Sequence, residues 1–268
     1  MALRLIQLSD IHFGFEDPAA LEAATAYVRE TPFDLLAITG DITQLGADPE
    51  FAAAAAWLST LPGPRLATPG NHDTPWAGLA ERLTAAWARY DRSISPLVER
   101  HFTAPGLKVR SINSARGWQV RLNWSKGHVS RGQAAHAADA LASAPHERKV
   151  VVVHHPLMEI PGGPMTGRVR GGVHAAERLT LAGADLILSG HVHTPFVQAL
   201  PFGDHRTFAV GAGTLSRRLR GEPPGFNVID IRGDDLIVSA MAWDGTRLQL
   251  AHAWEVKLRP LAAIGAGA

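Results

Sequence analysis

Five short apolar runs in this chain each end in a polar cluster drawn from the same few residue types, and that recurrence restricts the fold more than any other feature. "LRLIQL" (3–8) runs into Ser9, Asp10, Ile11 and His12, and "LLAIT" (35–39) into Gly40 and Asp41. "RLAT" (65–68) leads to "PGNHD" (69–73), "KVVVV" (149–153) to His154 and His155, and "DLILS" (185–189) to Gly190, His191, Val192 and His193. Apolar runs of this length without polar alternation read as strands buried on both faces. In a parallel α/β sheet the carboxyl ends of the strands share one edge, outside which ligands bind. Five segments therefore aim polar groups at one place.

Between some of these runs lie helical stretches. "DPAALEAATAYVRE" (17–30) and "DPEFAAAAAWLS" (48–59) each place Asp at the predicted N-cap and Pro in the first turn, and residues 130–144 and 173–183 share the helical habit, the latter stopping at Gly183. This is the βαβ rhythm of a layered α/β domain. From residue 206 the texture becomes strand without helix, in 206–213, 226–231, 235–243 and 247–256, with an Asp244-Gly245 turn signal. That pattern predicts an antiparallel sheet completing the same core. At 268 residues with no linker-like stretch, the chain reads as a single domain over 1–268 with a frayed tail from about 260. The Pro- and Gly-rich segment 156–172 and the basic segment 216–225 read as loops.

The donor chemistry at the strand ends is narrow: two carboxylates, an Asn oxygen and several imidazoles. With no Cys and 13 His in the chain, any metal must be held by nitrogen and oxygen. Asp10 or Asp41 taken singly reads as a cap or turn carboxylate, and His154 or His155 as a core histidine; it is their joint recurrence that argues for a site. In "DIH" and "HVH" the residues two apart fall on one side of an extended backbone. Such a set suits two divalent or trivalent ions about 3.5–4 Å apart, and favours Mn, Fe, Zn, Co or Ni over Ca.

Charge and hydropathy narrow the remaining classes. Against 26 basic residues stand 25 acidic ones, and the net charge of +1 gives no field that calls for nucleic acid or an anionic membrane. No window holds the roughly 18 apolar residues of a spanning helix, and the N-terminal apolar run is too short for a secretory core. The expectation is a cytoplasmic protein.

"LSDIHFG", "TGDITQLG", "PGNHD", "VVVHHPL" and "LSGHVHTPF" resemble, in order, the five motifs of the calcineurin-like metallophosphoesterases over residues 8–196, most closely the branch of bacterial class III cyclic nucleotide phosphodiesterase-like enzymes. The resemblance implies a four-layer αββα sandwich of two mixed β-sheets flanked by helices. It implies that Asp10, His12, Asp41 and His193 hold one metal and that Asp41, Asn71, His154 and His191 hold the second, with Asp41 bridging and Mn or Fe favoured. It makes His72 the general acid toward the leaving oxygen while a metal-bridging hydroxide attacks phosphorus. Where the phosphoprotein phosphatases carry a further Asp, paired to that histidine, this chain has Gln44, which leaves the partner of His72 open and speaks against a protein phosphatase. His155 has no ligand role in the pattern and is expected to support the site structurally.

For substrate contacts the sequence offers Asn71, Arg168 and Arg170; Arg217, Arg218 and Arg220 read as a solvated cluster, and Trp76, Trp118 and Trp124 as packing residues with the capacity to stack on a base. The function expected is a phosphodiesterase on a small nucleotide, cyclic nucleotide or glycerophosphodiester. The rivals are a pyrophosphatase acting on a nucleotide-linked lipid precursor, a phosphomonoesterase, and a metal-free interaction scaffold. Nucleic acid is not expected as a partner; relatives that dimerise keep a homodimer in view.

Overall fold

Along each central strand, odd and even side chains enter two different cores, and this parity builds the layers. The computed structural model describes residues 2–120, 123–160 and 168–261. In chain order the strands and helices are β1 (Ala2–Leu8), α1 (Pro18–Glu30), β2 (Leu35–Ile38), α2 (Asp48–Leu58), β3 (Arg65–Ala67), α3 (Leu79–Thr84), α4 (Ala88–Ser93), β4 (His101–Ala104) and β5 (Leu107–Ile112). They continue as α5 (Arg131–Ala142), β6 (Arg148–Val153), α6 (Gly172–Leu181), β7 (Leu186–Ser189), β8 (Phe196–Ala199), β9 (Phe208–Gly211), β10 (Gly225–Arg232), β11 (Asp235–Trp243) and β12 (Leu248–Lys257).

Two six-stranded sheets result, ordered β12-β11-β10-β1-β2-β3 and β4-β5-β6-β7-β9-β8. Both are mixed: β1, β2 and β3 run parallel and β10 to β12 antiparallel, while β5, β6, β7 and β9 run parallel between the antiparallel edges β4 and β8. Leu3 and Leu5 of β1 and Leu35 and Ala37 of β2 meet Val150 and Val152 of β6 and Leu186 and Leu188 of β7 between the sheets. The alternate residues Ile6, Leu8, Leu36 and Ile38 pack against α1 and α2. On the other flank Val151, Val153 and Ile187 pack against α5 and α6. The order helix, sheet, sheet, helix is the four-layer αββα sandwich.

The sequence and the structure part in two places. The run at 206–213 forms β9 and joins the second sheet parallel to β7, instead of the antiparallel set at the end of the first sheet, because Phe208 and Val210 enter the inter-sheet core beside Leu186 and Leu188. Asp17 caps α1 by accepting from Ala20 N at 3.0 Å, but α2 is capped at Ala47, and Asp48 is already helical. Glu50 accepts from Ala47 N at 3.2 Å and from Leu45 N at 2.8 Å, which ties the segment before the helix to its first turn. The short β4-β5 hairpin and β8 carry too little apolar patterning to stand out in the sequence. The expected fraying beyond residue 261, and residues 161–167 of the long loop, lie outside the described residues.

A buried polar tie sets the two sheets against each other near their carboxyl ends. Gln7 of β1, fully buried, donates Nε2 to Ser189 O of β7 at 2.9 Å and accepts from Asn227 Nδ2 of β10 at 3.0 Å; the same Asn227 nitrogen reaches Gly211 O of β9 at 2.9 Å. An unmade hydrogen bond in such a place costs about 1–3 kcal/mol. Gln7→Met is therefore expected to lower unfolding stability by about that amount in urea denaturation, and an unchanged midpoint and slope would show that the tie contributes nothing.

Candidate metal centre

Beyond the last residues of β1, β2 and β7 the chain does not stay extended. Asp10, His12, Asp41, His191 and His193 have φ of 50°, 52°, 50°, 68° and 59°, the left-handed region in which non-glycine residues are uncommon. The expectation that "DIH" and "HVH" offer two side chains from an extended backbone is therefore corrected: each of the two turns at both its Asp or His positions, and the turns make the side chains converge. Such conformations are unfavourable by roughly 1–2 kcal/mol each and persist where surroundings over-determine them. Here the loops are clipped together, with Asp10 N bonded to Gly40 O at 3.0 Å, His12 N to Asp41 O at 3.1 Å and Gly190 N to His154 O at 2.9 Å. The packing leaves no room for a side chain at Gly70, where an added Cβ would lie 2.1 Å from Asp41 Oδ1, or at Gly190, where it would lie 2.4 Å from Asp10 Oδ2.

The converging atoms form a linked series of clusters. Asp10, His12 and His193 offer atoms within 4.8 Å of one another, as do His12, Asp41 and His72, then Asp10, Asp41 and His154, and finally His154, His155 and His191. Asp41 lies in the middle: Oδ2 is 3.2 Å from His154 Nε2 on one side and 4.0 Å from His12 Nε2 on the other, while Oδ1 accepts from His72 N at 2.7 Å. Asn71 Oδ1 is 3.2 Å from His154 Nε2, and the His191 ring lies 5.2 Å from that of His154. All seven residues expected as ligands are buried.

The electrostatics of this group call for positive charge. Burial alone would raise the pKa of Asp10, but His193 and His154 outweigh it and hold the carboxylate below its usual range; Asp41 is held down likewise by His154, His72 and His12. Burial pushes His12 and His191 down to about 3, so both are neutral with lone pairs to offer. Burial opposes a charge on His154 too, yet Asp41 and Asp10 pull it up to about 9, so that protein groups alone place a proton between Asp41 and Asn71. His193 commits Nδ1 to Arg218 O at 2.6 Å, which turns Nε2 toward Asp10 Oδ1 at 3.0 Å. Two buried carboxylates, one of them centrally shared, and imidazoles with Nε2 turned inward fit a pair of cations.

The family comparison agrees with the chemistry. A model of the calcineurin-like phosphoesterases matches residues 3–195. The chain belongs to that family. The calcineurin-like phosphoesterases are dimetal-dependent hydrolases of phosphoric esters, and membership makes this chain a metal-dependent phosphoesterase. A probable cyclic nucleotide phosphodiesterase of Synechococcus sp. is 26% identical over 210 residues, covering 74% of this chain and 76% of its own. A second, of Rhodopseudomonas palustris, is 24% identical over 274 residues, covering 92% and 96%. Among solved structures, that of PhoD superposes with a TM-score of 0.70 at 10% identity, over 99% of this chain and 73% of its own, a likeness of fold.

Within this calcineurin-like frame the surroundings of His72 and His155 are defined. The partner of His72 is a main-chain group: Nδ1 lies 2.6 Å from Gln44 O. Asp73, the neighbour in sequence, is turned away and buried, accepting from Gly70 N, Thr43 N and Thr43 Oγ1 at 2.8 Å each and from Ile42 N at 3.2 Å. His155 has both ring nitrogens engaged, by Ser114 Oγ at 2.8 Å and Ser125 O at 2.7 Å, which leaves no lone pair for a cation.

The arginines fall in different places. Arg168 and Arg170 are exposed, and neither lines the cavities next to the cluster. Arg218 and Arg220, expected to be solvated, line a cavity of about 210 Å³ together with Asp41, Asn71, His72, His191 and His193. Arg218 Nη1 lies 2.7 Å from His72 Nε2. Its loop follows β9, and no motif within the loop marks it; only the density of arginines at 217–220 gave a signal.

Asp41→Ala is expected to lower bound metal at both positions, read as metal-to-protein stoichiometry by elemental analysis; unchanged stoichiometry would remove Asp41 as the shared ligand. Stripping metal with a chelator is expected to lower the melting temperature and added Mn to restore it, because a cation that binds only the folded cluster stabilises it by mass action.

Proposed function

We propose that this phosphoesterase hydrolyses a small phosphodiester, a nucleotide, cyclic nucleotide or glycerophosphodiester, with His72 as general acid and the whole chain acting as one catalytic domain. The observation that carries the reading is the placement of His72. Its half-buried ring stands 4.8 Å, centroid to centroid, from that of His12 at the mouth of the cluster. It also stands where the 210 Å³ cavity meets a second of about 370 Å³, the two sharing Asn71, His72, Asn123 and Ser125. A diester needs room on both sides of phosphorus, and the cleft continues on both sides of the histidine. The names of the two relatives point the same way.

In this reading Asp10, His12, His193 and Asp41 hold one metal, and Asp41, Asn71, His154 and His191 the other. The bound pair supplies charge neutralisation at the phosphoryl group and an acidified water. The Gln44 carbonyl accepts from Nδ1–H of His72 in either protonation state, so Nε2 is the atom that gains and loses the proton. Arg218 donates to that Nε2 before substrate arrives. An anionic phosphoryl oxygen is the stronger acceptor for a guanidinium. Arg218 therefore transfers to the substrate, where Arg220 adds a second charge, and Nε2 is released to take up a proton from solvent and deliver it to the leaving oxygen.

His72→Ala is expected to keep its metal and to lose about 10²- to 10⁴-fold in turnover on diesters with alkyl leaving groups, and far less on an activated aryl ester; equal losses on both would count against the acid role. Arg218→Ala is expected to raise KM for any phosphodiester at least tenfold without changing metal content, measured by steady-state kinetics with Mn. A panel of diesters, cyclic nucleotides, nucleotide diphosphates and an aryl phosphomonoester tests the substrate class, and hydrolysis of the monoester alone would overturn the diesterase reading.

A further inference from the structure

The two cavities that meet at His72 differ in chemistry. The one toward the metal ligands is lined by charged and polar groups and contains Arg218 and Arg220. The other, of about 370 Å³, is walled by Leu45, Trp76 and Trp124, with Gln44, Thr74, Asn123 and Ser125 as polar edges and Arg82 as its one cation. Trp76 leaves 72% of its surface exposed, and Leu45 leaves 43%. An indole so exposed is a large apolar surface left in water beside a cleft, and such surface commonly marks a binding site.

The walls are tied to their surroundings. Trp76 N donates to Leu45 O at 2.9 Å, which joins the two apolar walls through the backbone. The Arg82 guanidinium lies 5.3 Å from the centre of the Trp124 ring, within the range of a cation–π contact, and its Nε donates to Gly117 O at 2.9 Å. Gln119 Nε2 reaches Trp124 O at 3.4 Å.

From this geometry we infer that the aromatic compartment receives the leaving group of the substrate, and that this group is a nucleoside whose base packs against Trp76 and Trp124. The inference rests on the phosphodiesterase reading and deepens it. Hydrolysis adds a water oxygen to phosphorus and breaks the ester bond to the leaving oxygen, which takes its proton from His72. The departing alcohol must then lie on the side of His72 away from the phosphate-binding arginines, and on that side the cleft is the aromatic compartment. A volume near 370 Å³ suits a nucleoside and is too small to enclose a long acyl chain. Two indoles with polar edges and no carboxylate suit a flat base, which stacks through its face and hydrogen-bonds through its rim.

The test compares a nucleoside 3′,5′-cyclic monophosphate, whose leaving oxygen belongs to the nucleoside, with glycerophosphoglycerol, whose leaving group has neither a ring nor a cation to pack on an indole, using the Mn-loaded full chain and its Trp76→Leu and Trp124→Leu variants. Each substitution is expected to lower kcat/KM on the nucleotide about tenfold or more and to leave that on the glycerol ester within about twofold, with metal content and melting temperature retained. A second readout needs no turnover: quenching of tryptophan fluorescence by a nucleoside monophosphate and by glycerol 3-phosphate. Wild-type protein is expected to bind the nucleotide at least tenfold tighter, and each variant to lose that preference. Equal affinity for the two phosphates, or equal losses on both substrates, would overturn the inference, as would faster turnover of an acyl-bearing diester that depends on the same tryptophans. Tryptophan-dependent nucleotide binding in a protein that cleaves no diester would instead sink the catalytic reading and leave the subsite standing.

Discussion

Two carboxylates, Asp10 and Asp41, sit fully within the protein at the common edge of the two sheets, surrounded by imidazoles. Burying such groups is tolerable only where positive charge reaches them. Without a cation, a proton on His154 supplies part of it, since Asp41 and Asp10 pull the pKa of that ring up to about 9. His193 Nε2 lies 3.0 Å from Asp10 Oδ1. The left-handed turns, the glycines without room for a side chain and the buried Gln7 tie all serve to keep that group assembled despite its internal repulsion.

A second regularity lies in the main chain. His154, His193 and His72 each direct Nδ1 at a backbone carbonyl, of Thr39, Arg218 and Gln44, at 2.7, 2.6 and 2.6 Å. A histidine anchored in this way has its tautomer and orientation set, and turns Nε2 toward the centre. Arg218 adds a further coupling, since its carbonyl orients one histidine of the cluster while its guanidinium touches another, His72. One short segment after β9 thereby touches both His193 and His72.

Much of this was legible from residue types. The buried strands, the four helices that pack on the sheets and the αββα order follow from unbroken apolar runs and from the family motifs. The candidate ligands Asp10, His12, Asp41, Asn71, His154, His191 and His193 were named by the family resemblance, within polar clusters that stand at strand ends. The structure brings them into one group, although through left-handed turns and not along an extended backbone. Other features escaped because their cause is not a side-chain pattern. The Gln44 carbonyl leaves no mark in a sequence, β9 reads like the strands that follow it, and Arg218 looks like any arginine in a basic loop. Arg168 and Arg170 were named for their charge, and neither lines the two cavities beside the cluster.

By itself the sequence determined which atoms are available: seven nitrogen and oxygen donors, no sulfur, and strands apolar enough to be buried on both faces. Those are properties of composition and short-range order, which survive without coordinates. Only the tertiary structure decided the directions: which nitrogen of each ring faces inward, which arginine reaches the histidine, and which tryptophans wall the cleft. Direction depends on contacts between residues as far apart as Gln44 and Arg218, and those distances are set when two sheets pack, not when a single strand forms.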